Sequence, residues 1–166
     1  MKTISTDDAI KKRHPEGVAL IVCKSLDGKV DATPIGWFTL CNSNPRSWAI
    51  CLYNKHYSHK VILETKEYVL CLPSFSQKDD VLYCGTVHGW DTDKLSKCKL
   101  KTVPSKKINP PLVEDSIACF ECKVTKTCDA GDHTIFIGEI VESYISERKD
   151  KLYNIGNRTF VKWEFS

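Results

Sequence analysis

The sequence predicts a mainly β fold, a β-barrel with a few short helices, built as one domain over residues 1–166. Three observations carry this expectation. Short β-prone apolar runs recur along the chain between clusters of Gly, Pro, Asn and Asp. Two long runs, Ser116 to Thr127 and Thr134 to Ile145, flank the turn signal Asp129-Ala130-Gly131-Asp132 and read as a hairpin. Helical periodicity is confined to short stretches, so most of the core must be closed by strands. A closed or nearly closed antiparallel barrel removes the exposed sheet edges such strands would leave.

The elements follow in order. Thr6 caps a first helix, Asp7 and Asp8 occupy its positive end, and Lys11, Lys12 and Arg13 its negative end. Pro15 and Gly17 stop it. Gly17 to Lys24 is an apolar strand closed by the turn Asp27-Gly28. Strands are next expected at Ile35 to Cys41, ended by Asn42-Ser43-Asn44-Pro45, and at Ser47 to Tyr53. Ser58 caps a helix to Thr65 whose apolar residues share one face. Glu67 to Leu72 reads as a strand ended by Pro73, and Ser76 to Val87 as a short helix. From Asp91 to Pro111 periodicity fades into a lysine- and proline-rich surface connection. Arg158 to Phe165 is the last strand.

Composition narrows the function classes. Apolar residues make up 42% and charged residues 27%, the balance of a globular chain with an ordinary core. A net charge of +3, with the cations dispersed, does not make the dense basic patch of a nucleic-acid binder. No apolar run reaches the ~18 residues of a membrane span, and the first residues lack a secretory signal, so a cytoplasmic location is expected. The nine cysteines are Cys23, Cys41, Cys51, Cys71, Cys84, Cys98, Cys119, Cys122 and Cys128. Their odd number argues against a disulfide framework. Cys119 and Cys122 form a C-x-x-C pair on an alternating strand, where they point to opposite faces, a poor geometry for chelating one metal. No metal site is expected, and the buried thiols read as small hydrophobes. Glycine-rich dinucleotide and P-loop motifs are absent, as are H-E-x-x-H and G-x-S-x-G.

Two segments carry more information. The first begins Asp31-Ala32-Thr33-Pro34-Ile35-Gly36-Trp37-Phe38-Thr39, passes Asn44-Pro45, and continues through Asn54-Lys55-His56-Tyr57-Ser58-His59-Lys60. The second is Gly131-Asp132-His133-Thr134-Ile135-Phe136-Ile137-Gly138-Glu139-Ile140. In their order and spacing these residues resemble the flavin reductase-like family of FMN-binding split barrels, especially its flavoredoxin branch. The likeness runs from about residue 14 to 145. It departs at Arg46, where the family carries a second proline, and at Trp90, where it carries an arginine.

The resemblance implies a split barrel of Greek-key type that binds FMN and passes electrons. The donor would be NAD(P)H or another reduced carrier, and the acceptor a flavin, iron or a redox partner protein. It also implies a homodimer with FMN near the subunit interface, for which Trp90 and Tyr153 are candidate contacts. Thr33, Pro34, Ile35, Gly36, Trp37 and Thr39 would line the flavin ring, with Gly36 admitting a close backbone approach. Asn54, Lys55, His56, Tyr57, Ser58 and Lys60 would cradle the phosphate with hydroxyls, imidazoles, ammonium groups and a helix N-terminus. His133 would stand beside the flavin where the nicotinamide enters, the one candidate catalytic residue. Structural alternatives exist for each: a strand bend at Gly36, a core aromatic at Trp37, a capped polar loop, and a surface histidine at the turn. Two other functions also remain open at this level: an FMN carrier with no nicotinamide activity, and a barrel holding haem, another cofactor or nucleic acid.

Overall fold

The computed structural model describes residues 1–164 of the chain. The first helix, α1 (Thr6–Ile10), runs into a 3-10 turn at Lys11–Arg13. Its cap is Ser5 rather than Thr6, because the Ser5 hydroxyl accepts from the Asp8 amide at 3.1 Å. The expected strand from Gly17 to Lys24 is split into β1 (Glu16–Gly17) and β2 (Ala19–Lys24). An unexpected strand, β3 (Val30–Ile35), follows the Asp27-Gly28 turn. The strand expected from Ile35 to Cys41 is therefore broken at Gly36-Trp37, and β4 covers Phe38–Ser43. Then come β5 (Arg46–Tyr53), α2 (Tyr57–Thr65) and β6 (Glu67–Leu72).

The remaining elements are shorter until the C-terminal hairpin. A 3-10 turn at Phe75–Gln77, held by a capping box between Ser74 and Gln77, leads into α3 (Lys78–Thr86). The long connection contains one turn of helix, α4 (Lys94–Lys97), and the two-residue strands β7 (Thr102–Val103) and β8 (Leu112–Val113). The hairpin pairs β9 (Ala118–Asp129) with β10 (His133–Ile145). The chain ends in β11 (Asp150–Asn154), also unexpected from sequence, and β12 (Phe160–Glu164). Phe165, the expected end of the last strand, lies outside the described residues.

Seven strands form the main antiparallel sheet in the order β3-β2-β6-β9-β10-β5-β4. Its middle is covered on both faces, which explains why Ala19 to Cys23 is apolar at every position. Ala19, Ile21 and Cys23 face an inner cluster with Ile50, Leu52, Tyr68, Leu70 and Phe136. Leu20 and Val22 face an outer cluster with Val69, Cys71, Cys84, Leu112 and Cys119. The alternation also divides the C-x-x-C pair: Cys122 joins the inner cluster and Cys119 the outer one. Gly138 is fixed by packing, since a Cβ there would collide with the fully buried Tyr68 ring. Among the described residues no helix is long and apolar enough to cross a membrane.

Candidate functional site

Two adjoining pockets lie along β3, β5, the N-terminus of α2 and the start of β10. The first is an open groove lined by Ile35, Gly36, Trp37, Cys51, Tyr53, His56 and His133. Strand register assembles it. His133 pairs with Tyr53 and Ile135 with Cys51, while the inward alternation of Ile50 and Leu52 turns Cys51 and Tyr53 outward. The His133 ring lies 5.0 Å from Trp37 and 5.4 Å from Tyr53 between centroids. Its Nδ1 sits 2.6 Å from the Asp132 carboxylate, which fixes its orientation. Trp37 is 51% exposed, so the groove presents a flat aromatic wall to the outside.

The second pocket is more enclosed and polar. Asp31, Thr33, Pro34, His56, Tyr57, Gly85, His88, Gly89 and Lys94 are among its walls. Lys94 is only 3% exposed. Its ammonium lies 3.1 Å from Asp31 Oδ1 and donates to the Ala32 carbonyl at 2.9 Å. Thr33 donates from Oγ1 to Asp31 Oδ2 at 3.1 Å, and lies 3.0 Å from the buried Ser58 hydroxyl. Lys29 closes the rim, 4.8 Å from the Tyr57 ring centroid and hydrogen-bonded to the Gly89 carbonyl. His56 belongs to both pockets. Burial pushes its pKa below the usual histidine value, so the ring is neutral at pH 7, and its buried Nδ1 has no hydrogen-bond partner among the described residues.

The expected site residues divide between these pockets and their supports. Thr33, Pro34, His56 and Tyr57 line the polar pocket; Ile35, Gly36, Trp37, His56 and His133 line the groove. The remaining five lie outside both linings. Thr39 is exposed on β4, donating to the Leu40 carbonyl. Asn54 ties the loop to the hairpin: its Nδ2 donates to the Gly131 carbonyl at 2.8 Å and its Oδ1 accepts from Thr134 at 2.9 Å. The Lys55 carbonyl accepts from Trp90 Nε1 at 3.0 Å. Ser58 is fully buried and does not cap α2; His56 stands at the cap position. Lys60 is exposed, 3.8 Å from Glu64 and near the Trp90 ring.

Glycine at position 36 has a cause that the sequence did not show. A Cβ there would lie 2.9 Å from the Glu16 carboxyl, which Arg13 and Asn154 hold in place. Sequence reasoning also passed over Asp31, Lys94, Cys51 and Tyr53. The signal for Cys51 and Tyr53 is the alternation of β5, which turns both toward the His133 side of the sheet. Of the two suggested interface aromatics, Trp90 is exposed, whereas Tyr153 is half-buried beside Gly17 under the Lys151 ammonium.

Residues 11–164 match the family model described as "Flavin reductase like domain". The chain belongs to this family. An uncharacterized protein from Archaeoglobus fulgidus is 33% identical over 105 residues, covering 63% of this chain and 59% of the relative. The chain thus spans about three fifths of the length of the first curated relatives it matches. Among solved structures, flavoredoxin from Methanosarcina acetivorans superposes with a TM-score of 0.87 at 21% identity, covering all of this chain and 92% of the other. The FMN-binding protein from Thermus thermophilus, solved with p-hydroxybenzaldehyde, also gives 0.87, at 20% identity over 98% and 95% of the two chains. The flavin reductase-like chain therefore has the split-barrel fold of these neighbours, mostly antiparallel β with short helices.

Proposed function

We propose that this chain is an FMN-dependent oxidoreductase whose flavin ring lies in the Trp37–His133 groove and whose phosphate end enters the polar pocket. The junction at His56 carries this reading: an aromatic groove and a cation-bearing pocket meet at a buried ring nitrogen with no hydrogen-bond partner among the described residues. That arrangement suits a ligand with a flat apolar body and an anionic tail. Membership of the family and the FMN-binding function of the Thermus thermophilus neighbour support the same ligand. FMN, when bound, supplies the hydride and one-electron chemistry.

The chain's own groups hold and orient. Trp37, Tyr53 and Ile35 shield one side of the ring from water. Lys94 is neutralised by Asp31, so the α2 N-terminus and Lys29 make the polar pocket attractive to an anion, and neutral His56 offers a hydrogen bond at the junction. His133, fixed by Asp132, faces the open side where a donor can approach. The proposed donor is NAD(P)H, and the acceptor a flavin, iron or a protein.

FMN titration of the flavin-free protein tests the site. Saturable quenching of FMN fluorescence at one flavin per chain is expected. Trp37→Ala should weaken FMN and riboflavin alike, whereas His56→Ala should weaken FMN about tenfold, the equivalent of one lost hydrogen bond, and riboflavin less. Equal losses in His56→Ala would move the phosphate elsewhere. Protein that neither quenches FMN nor carries flavin from purification would overturn the reading. Oxidation of NADH or NADPH by the loaded protein tests the donor, and a loaded protein that consumes neither is an electron carrier.

A further inference from the structure

On the far side of the main sheet from the barrel interior, Cys71 and Cys119 are direct cross-strand neighbours in β6 and β9. Their sulfur atoms are 3.2 Å apart. The Val124 amide donates to the Lys66 carbonyl, which makes Lys66 and Val124 a hydrogen-bonded pair of the two strands. Counting five residues along each strand places Cys71 and Cys119 in a non-hydrogen-bonded pair, the class whose side chains approach most closely. Cα atoms in such pairs lie about 4.5 Å apart, inside the span a disulfide bridges without backbone movement.

We propose that Cys71 and Cys119 form a peroxide-responsive dithiol, a modification site separate from the flavin groove. The two thiols have different roles. Cys119 is the more accessible, at 4% exposure against none for Cys71. Cys119 donates a hydrogen bond to the Cys71 sulfur, and burial pushes the Cys71 thiol well above its usual range. Cys119 is thus the nucleophile and Cys71 the resolving thiol. The Cys119 thiolate attacks one oxygen of hydrogen peroxide, the O–O bond breaks, and hydroxide leaves to become water, giving a sulfenic acid. The Cys71 sulfur then attacks the Cys119 sulfur, releasing a second water as the S–S bond forms. Two thiols are oxidised by two electrons and one peroxide is reduced to two waters. Burial selects a small oxidant, since a bulky disulfide cannot reach either sulfur.

Peptide mapping of the full-length protein tests this. The reduced protein is exposed to stoichiometric hydrogen peroxide, alkylated in denaturant and digested without reductant. A cross-linked peptide joining Cys71 to Cys119 is expected, lighter by two hydrogens than the reduced pair and lost on treatment with dithiothreitol. Cys71→Ser should accumulate a dimedone-trappable sulfenic acid on Cys119 and form no cross-link. Two outcomes overturn the proposal. One is oxidation at exposed Cys41 and Cys128 while Cys71 and Cys119 remain fully alkylatable. The other is a disulfide from Cys119 to Cys84 or Cys98, which share its cluster.

Discussion

Lys94 reaches Asp31 across 63 residues of sequence, and both side chains are almost wholly shielded from water. Each charge is tolerable only because of the other, together with the Ala32 carbonyl and Thr33 hydroxyl. Lys94→Met should therefore destabilise the protein by about 3–5 kcal/mol, because it strands a buried carboxylate. Adding Asp31→Asn should recover a substantial part of that loss. Urea unfolding of the single and double variants measures both, and an additive double variant would show that the two residues do not act as a pair. Lys94 also shows why part of the site escapes a sequence reading. A lysine in a polar segment is ordinarily solvated, and nothing local marks this one as buried. Trp37 and His133 were legible because they sit in a distinctive order of neighbours.

The segment before β8 has few regular hydrogen bonds and is held by two carboxylates, Glu67 through Asn109 and Glu121 through two backbone amides. Glu121, fully buried on β9, accepts from the Lys106 amide at 2.8 Å, the Lys107 amide at 2.7 Å and the Tyr144 hydroxyl at 2.5 Å. Burial alone would raise its carboxyl pKa, but these donors outweigh burial and leave it below the usual range. The unfolded chain therefore binds the proton more readily, so this stabilisation is full above a pH of about 4.3 and is lost as pH falls through the folded value. Glu121→Gln should cost about 2 kcal/mol at pH 7, with the gap to the native protein closing in acid. Thermal unfolding of both proteins from pH 7 to pH 3 measures it; a gap independent of pH would deny the carboxylate this role. Elements of this kind set the limit of what patterning reveals. The β9–β10 hairpin was plain from its alternation and its Asp129–Asp132 turn, and β6 from its apolar run. The strand β3 was hidden by Asp31, Thr33 and Pro34, whose places depend on Lys94, Ser58 and an edge position in the sheet. In β11, three of five residues are charged or amide, and pairing with β1 and β12 makes it a strand.

At the scale of the molecule, one end of the main sheet is uncovered. β4 forms its edge, every residue from Thr39 to Ser43 is exposed, and Leu40 stands 50% exposed. An exposed edge strand carrying Leu40 favours a second copy of the chain as its cover, and we propose a homodimer built on this edge. Leu40→Asp should convert the dimer to monomer in sedimentation velocity, with FMN bound more weakly. A native protein that sediments as a monomer at all concentrations would refute the arrangement. The loop between β5 and α2 bears on binding in another way. Asn54 fastens it to the β9–β10 turn, Trp90 fastens it to the segment after α3, and His59 reaches Thr134 at 2.9 Å. Three stretches remote in sequence are thereby clamped together by the chain's own hydrogen bonds. Little chain entropy is left to be lost on capture, so association should proceed in a single fast step, without the slow phase of a loop that has to fold around its guest.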